Sequence, residues 1–333
     1  MASAKAKRPR KRAEKRTRKR ATKPDPKLIS VVVPAYNEEP NLRYIYELLH
    51  EVFDVADDSA EFIFVDDGSS DNSRFVLSQL HAHDPRVKAI FLSRNFGQSA
   101  ALTAGIDAAK GDAIIVMDAD GQDPPELVPA LIAKWKEGYD VVGGRRISRR
   151  GEPILKRALA YLWYRVMRLL VGWDLPMDTG EFRIIDRAVA DVFRACPQRH
   201  RLVRTLTSWP GFRQTTVDYE HGARHAGKTK YTYRSSLRLA VTSITGFSLA
   251  PLRIALPLGA FVSVCSLIAC LWIGFSGARN GVSLGALAIA GLWLLGGLQC
   301  ILIGILGEYV GRTYIEIQRR PLYVVRDAIG IDT

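Results

Sequence analysis

The stretch Ala113-Ile114-Ile115-Val116-Met117-Asp118-Ala119-Asp120-Gly121-Gln122-Asp123-Pro124-Pro125-Glu126 runs from a continuous apolar segment straight into a cluster of carboxylates. The apolar run reads as a buried strand, and the acidic residues stand at its carboxyl end. In a strand, residues two apart share a face, so Asp118 and Asp120 are expected to converge on one ion with Ala119 turned away. Hard divalent cations such as Mg²⁺ take oxygen ligands and are held by one or two carboxylates together with substrate phosphates. The stretch therefore suggests a nucleoside-diphosphate site, although an Asp-x-Asp on its own is more often a solvated loop pair.

Outward from this segment, apolar β-branched runs recur at 29–34, 61–65, 87–92 and 139–142. Amphipathic helical stretches separate them near 39–53, 73–82, 99–109 and 125–136. This alternation predicts an α/β domain whose mostly parallel sheet is covered on both faces. Ligands bind such sheets beyond the carboxyl ends of the strands. Pro34-Ala35-Tyr36-Asn37-Glu38 follows the first strand and Asp66-Asp67-Gly68-Ser69-Ser70-Asp71 the second, so three polar motifs converge on one edge. Tyr36 is suited to stack on or hydrogen-bond a base, and Glu38 to accept from ribose or base groups. Gly68 permits a tight turn, and Asp67 is suited to hold a uracil or ribose donor. As a turn and helix cap alone, Asp-Gly-Ser-Ser-Asp would be ordinary.

A chain of 333 residues suffices for one large domain or two ordinary ones. Its net charge of +13 points to nucleic acid or an anionic membrane until the charge is located. Residues 1–27 carry +11 of it, so the basicity belongs to a tail and not to the fold. That tail lacks apolar periodicity and reads as disordered, and it has no hydrophobic run of the kind a secretory signal carries. Attraction to anionic lipid on the cytoplasmic face accounts for it as well as a solvated arm does. The cysteines Cys196, Cys265, Cys270 and Cys300 form no Cys-x-x-Cys pair, which indicates neither a zinc site nor a disulfide framework.

Residues 254–277 and 281–307 contain no charged side chain, and each run exceeds the roughly 20 residues that cross a bilayer core. Arg234, Arg238 and Arg253 precede the first run, and Arg312, Arg319, Arg320 and Arg326 follow the second. The positive-inside rule then gives a transmembrane hairpin with both termini cytoplasmic. Residues 154–173 and 233–249 mix basic, aromatic and aliphatic side chains in the manner of helices lying in the headgroup plane, with packing against the core as the alternative.

Taken in order, Pro-Ala-Tyr-Asn-Glu, Val-Asp-Asp-Gly-Ser and Asp-Ala-Asp-Gly-Gln-Asp-Pro-Pro-Glu resemble an inverting family-2 glycosyltransferase of the GT-A fold. Asp178-Thr-Gly-Glu-Phe-Arg183, Arg199-His-Arg201, Arg224-His-Ala-Gly-Lys-Thr-Lys230-Tyr231 and Gly307-Glu-Tyr-Val-Gly-Arg312 resemble the branch acting on polyprenyl or dolichyl phosphate. Within that branch the chain is similar to bacterial polyprenyl-phosphate glucosyltransferases, and the resemblance runs from about residue 29 to 323. Gly121 departs from it, because relatives often carry an apolar residue there.

The resemblance implies roles residue by residue. Asp118, Asp120 and Gln122 would hold Mg²⁺ or Mn²⁺ with the donor diphosphate, and Asp123 would orient that cluster. Pro34, Tyr36, Glu38 and Asp67 would form the nucleoside pocket. Arg224 and Lys230 would clamp phosphate oxygens, and Arg145 and Arg157 would bind the acceptor phosphate. A phosphate monoester is mostly dianionic at neutral pH, so no general base is required. Direct displacement would invert the anomeric centre.

The expected organisation is a disordered basic tail over 1–27 and a GT-A catalytic domain over 28–230, including an interfacial helix at about 153–173. A juxtamembrane amphipathic helix over 231–252, a transmembrane hairpin over 253–310 and a cytoplasmic segment over 311–333 complete it. The expected partners are a nucleotide sugar, polyprenyl phosphate, the bacterial inner membrane and other copies of the chain as a tetramer, with no nucleic acid. UDP-glucose is the leading donor; UDP-GlcNAc, UDP-GalNAc and GDP-mannose are alternatives. A processive polysaccharide synthase is the weaker reading, because the chain carries no Gln-x-x-Arg-Trp signature. A silent membrane scaffold would have no need for clustered carboxylates.

Overall fold

A computed structural model describes residues 27–148, 179–220 apart from 197, 200 and 202, part of 252–268, and 284–331. The basic tail as far as residue 26, the interfacial helix expected at 153–173, and the juxtamembrane stretch as far as residue 251 lie outside the described residues. So do Arg157, Arg224 and Lys230.

The apolar runs become β1 (Leu28–Ala35), β2 (Ser59–Asp66), β3 (Val87–Leu92), β4 (Ala113–Val116) and β5 (Val141–Ser148). Between them lie α1 (Glu39–Asp54), α2 (Ser73–His83), α3 (Gln98–Ala108) and, after one 3₁₀ turn at Pro125–Leu127, α4 (Val128–Lys136). The chain continues through β6 (Thr179–Asp186), α5 (Arg187–Ala195), α6 (Val203–Leu206), β7 (Gln214–Glu220), α7 (Leu284–Ile317) and β8 (Val325–Ile329). The described strands form one sheet in the order β7-β5-β6-β4-β1-β2-β3-β8. β1 pairs in parallel with β2 and β4, β2 with β3, and β5 with β7. β6 runs antiparallel between β4 and β5, which brings its first residues to the edge where the parallel strands end.

Alternating side chains of the central strands feed two apolar layers. Val31 and Val33 of β1 join Leu42, Leu49, Leu77, Leu131 and Trp135 from α1, α2 and α4. Val32, with Ile63 and Val65 of β2, joins Leu102, Ile106, Val189 and Phe193 from α3 and α5. Both faces are therefore covered, as continuous apolar strands require. The helix starts are wired across the loops. Asp71 accepts from the backbone N–H of Glu39 at 3.1 Å and of Ser73 at 3.0 Å, so one carboxylate serves the first turns of α1 and α2.

Two features differ from the sequence reading. α7 is 34 residues long, roughly 51 Å at 1.5 Å per residue, and runs ten residues past the uncharged stretch. The Glu308–Arg312 pair, one helical turn apart, lets charged residues continue the helix. Its segment Leu294–Ile317 has a mean hydropathy of 1.6 and is unburied, and among the described residues α7 alone is long and apolar enough to cross a membrane. Pro257–Ile268 is a shorter apolar helix, so the described residues hold one candidate span and do not confirm the expected two-helix hairpin.

The second difference is the end of the chain, expected as a trailing segment over 311–333. β8 instead pairs antiparallel with β3 and extends the sheet. Arg74 pairs with Asp327, the Tyr323 hydroxyl donates to Asp107 at 2.9 Å, and the Ser93 N–H donates to the Val324 carbonyl at 2.9 Å. Glu316, in the last turns of α7, accepts from the Arg199 N–H at 2.9 Å.

One buried polar junction ties the two helical layers together. Asp186 accepts from the Trp135 indole at 2.8 Å and caps α5 through the Ala188 N–H at 3.0 Å. Asp186→Ala removes a helix cap worth about 1 kcal/mol and a charged hydrogen bond worth about 1–3 kcal/mol. We expect a loss of about 2–4 kcal/mol in denaturant unfolding of the full chain in detergent, whereas a midpoint within error of wild type would contradict this account.

Candidate active site

The parallel strands deliver their carboxyl-end loops to one edge. Asn37 takes a left-handed conformation at φ 51° after β1. Its N–H donates to the Ser69 hydroxyl at 2.8 Å, and its side-chain carbonyl accepts from the Ser70 N–H at 2.8 Å. The loops after β1 and β2 are thus stitched together. Pro34 lies within β1 opposite Val65, the Tyr36 ring is partly exposed at the edge, and the Glu38 carboxylate accepts from the Asn41 amide at 2.6 Å.

Asp67 has a further task that the sequence did not disclose. It is buried, and its carboxylate accepts from the Phe96 N–H at 2.7 Å and the Gly97 N–H at 2.8 Å. Burial raises its pKa above the ordinary carboxylate value, against the pull of those two amides. The bonds fold the loop after β3, residues 93–97, over Gly68. Gly68 sits at φ +70°, and a Cβ there would stand 2.5 Å from the Arg94 carbonyl carbon, so no other residue fits without moving the loop. Arg94 is exposed on this loop with its guanidinium 4.1 Å from the centre of the Phe96 ring. The signal for the loop was Asn95-Phe96-Gly97, a turn sequence directly after a strand.

Beyond β4, the acidic motif departs from its expected geometry. The ladder ends at Val116, and Asp118, Ala119 and Asp120 lie in the turn that follows, so strand alternation does not set their directions. Ala119 is buried and both carboxylates are half-buried. Asp118 accepts from the Gln98 amide at 2.6 Å, and Asp120 accepts from the Gln122 N–H at 3.1 Å. Gly121, where the family resemblance breaks, sits in this turn at φ 75°. Asp123 is buried beneath it and accepts from the Tyr219 hydroxyl at 2.7 Å. Burial, then the charges of Asp123, Asp120 and Glu181, push the Asp118 pKa up to about 8, with Arg146 opposing them.

The two arginines of β5 divide. Arg145 makes a two-pronged pair with Asp218 on the neighbouring strand β7, at 2.6 and 2.8 Å, and the pair is largely exposed. Arg146 turns to the acidic side, donating to the Tyr219 hydroxyl at 3.1 Å and lying 3.7 Å from Asp123. The sequence reading assigned Arg145 to the acceptor phosphate; the structure in addition brings Arg146, Glu181, Tyr219 and Gln98 to the carboxylates. Arg183 is buried inside β6, donating to the Gly180 carbonyl at 2.6 Å and to Thr207 at 3.1 Å, which shapes the strand start that carries Glu181. Arg201 donates to the carbonyls of Cys196 and Gln198 and serves the fold.

The donor set is all oxygen and amide, which suits a hard cation. Among the described residues no group of three His, Cys, Asp or Glu side chains forms a closed metal cage. An Mg²⁺ site completed by substrate phosphates needs no such cage.

The raised Asp118 pKa has a direct consequence for metal-free protein. The folded state holds a proton that the unfolded chain releases near pH 4, so this group's contribution to stability falls as pH rises towards about 8. Asp118→Asn should raise the thermal midpoint near pH 8 and flatten its fall between pH 6 and pH 8. An unchanged pH slope in chelator-treated protein would show that the carboxylates do not repel one another as described.

A family model described as glycosyl transferase family 2 matches residues 30–193. An uncharacterized glycosyltransferase of Bacillus subtilis (strain 168) is 42% identical over 306 residues, covering 91% of this chain and 94% of its own. A prophage bactoprenol glucosyl transferase homolog of Escherichia coli (strain K12) is 37% identical, with 90% and 98% covered. The bactoprenol glucosyl transferase of Shigella phage SfII is 35% identical, with 90% and 97% covered. Among solved structures, a mannosyltransferase of Pyrobaculum calidifontis in complex with GDP-Man and Mn²⁺ is 17% identical at a TM-score of 0.47, covering 86% of this chain and 87% of that one.

Proposed function

Because the chain belongs to glycosyl transferase family 2, and its α/β domain is GT-A-like, we propose that it moves glucose from UDP-glucose onto a polyprenyl phosphate. The observation that carries this reading is the acidic edge. Asp118, Asp120 and Asp123 stand where the parallel strands end, in a chain matched over about nine-tenths of its length by bactoprenol glucosyl transferases. GDP-mannose, UDP-GlcNAc and UDP-GalNAc are the competing donors.

Asp118, Asp120 and Gln122 would hold a divalent cation, Mg²⁺ or Mn²⁺. When bound, such an ion neutralises charge on the departing nucleoside diphosphate. The protein's own part is positioning. Gln98 fixes Asp118, and the stitched loops of Tyr36, Glu38 and Asp67 shape the nucleoside side of the edge. Arg224 and Lys230 are assigned to the donor phosphates, and Arg157 to the acceptor phosphate. Arg145 reaches an acceptor phosphate by exchanging its exposed Asp218 partner, a modest cost for a surface pair. The acceptor phosphate arrives as a dianion and needs no base. Its in-line attack on the anomeric carbon expels the diphosphate and inverts the centre, so an α-linked donor gives a β-linked lipid phosphosugar.

A lipid acceptor calls for membrane attachment. Exposed Leu294, Leu295, Ile301, Ile303 and Leu306 make α7 the segment that enters the bilayer. Its length leaves roughly 20 Å outside a 30 Å hydrocarbon core, room for the charged turns near Glu308 and Arg312. The two-span hairpin, a cytoplasmic catalytic domain in the bacterial inner membrane and a homotetramer complete the proposal, with the basic tail on anionic lipid.

The test is sugar transfer by full-length protein in proteoliposomes, with undecaprenyl phosphate, Mg²⁺ and a labelled panel of the four donors. Glucose should enter the lipid phase as the β-anomer, and Asp120→Asn should lower kcat by about 10²–10³ with the protein still folded. Transfer of another sugar would reassign the donor, and an α-linked product would refute single displacement. Failure of all four donors in folded protein would sink the reading.

A further inference from the structure

The acidic edge would be strongly self-repelling without an internal cation, and the fold makes specific room for one. The Arg146 guanidinium lies against the backbone of Gly180, where a Cβ would stand 2.8 Å from its Nη2. Its partner Tyr219 lies against Gly144, where a Cβ would stand 2.9 Å from Cε1 of the ring. Phe182 supports the Tyr219 ring edge-on, with centroids 5.9 Å apart. Tyr219 accepts from Arg146 Nε at 3.1 Å and donates to Asp123 at 2.7 Å, a chain that fixes both ends. Arg146 keeps about a third of its side chain exposed, while Asp123 is 1% exposed. Arg146 is thus only partly buried beside a fully buried Asp123. The ladder of β5 with β7 has its own charged pair in Arg145–Asp218.

We propose that Arg146, positioned by Tyr219 and Asp123, is the built-in counter-charge of the acidic edge and sets how tightly Asp118 and Asp120 hold a divalent cation. The inference rests on the metal reading given above and adds a residue that tunes it. A fixed positive charge beside a cation site repels the incoming ion. It also stops the empty carboxylates from repelling one another apart. At the separations of a shared edge, partly screened by water, one unit charge against a divalent ion changes affinity by about tenfold or more.

The experiment is Mn²⁺ titration of the full-length protein in detergent, read by the electron-paramagnetic signal of free Mn²⁺, with and without UDP. Arg146→Gln should tighten Mn²⁺ binding by about tenfold or more, while Arg146→Lys, which keeps the charge, should stay within about threefold of wild type. Tyr219→Phe keeps the ring but frees Arg146 and Asp123 from their link. It should shift affinity in the same direction by less, and lower kcat more than it alters KM for the donor. Unchanged or weakened Mn²⁺ binding in Arg146→Gln, with Arg146→Lys confirming a folded site, would overturn this inference alone. If wild type binds no Mn²⁺ even with UDP, the metal reading of the acidic motif fails and this inference fails with it.

Discussion

Like charges gathered at one edge of a parallel sheet form the constraint around which this domain is arranged. Asp118, Asp120, Asp123 and Glu181 meet there because β1 and β4 run in one direction and β6 returns between β4 and β5. Among the described residues, three neighbours of the cluster answer its charge. Gln98 donates to Asp118, Tyr219 donates to Asp123, and Arg146 supplies the opposite sign. Burial, and then the charge these do not neutralise, keep the Asp118 pKa raised.

The central strands and their helices were legible because each is buried on both faces or amphipathic at a clean period. β1 to β4 and α1 to α4 fall within a few residues of their apolar runs. β6 to β8 were not legible as strands. β7 (Gln-Thr-Thr-Val-Asp-Tyr-Glu) and β8 (Val-Arg-Asp-Ala-Ile) are polar or mixed because they are the two edge strands, whereas interior β6 opens on the polar Thr-Gly-Glu and carries Arg183. The same limit hid part of the candidate site. Glu181 and Tyr219 ride on those strands, and no local pattern links them to Asp118 roughly 60 and 100 residues earlier.

Arg145 and Arg146 show a finer limit. The sequence offers adjacent arginines at a strand end, and strand alternation dictates that they face opposite ways. It does not say which way. The register of β5 against β7 decides, setting Arg145 across from Asp218 and Arg146 across from Tyr219. Asp67 is a parallel case: a carboxylate after a strand reads as a ligand for substrate, and here both of its oxygens hold backbone N–H groups of the next loop. Neither residue loses its place at the edge. Each acts through a neighbour that spacing alone could not name.

The end of the chain links that edge to the long apolar helix α7. Glu316 binds the Arg199 backbone within the last turns of α7, and a short connection then reaches Tyr323, held by Asp107. The next residue, Val324, accepts from the N–H of Ser93, which opens the loop that Asp67 folds down. With about seven residues between helix and sheet, few chain conformations satisfy both anchors at once. Both anchors therefore limit how α7 can tilt against the sheet. In the function proposed above, catalysis by positioning would draw on that limit, because a lipid acceptor would present its reacting oxygen from a membrane.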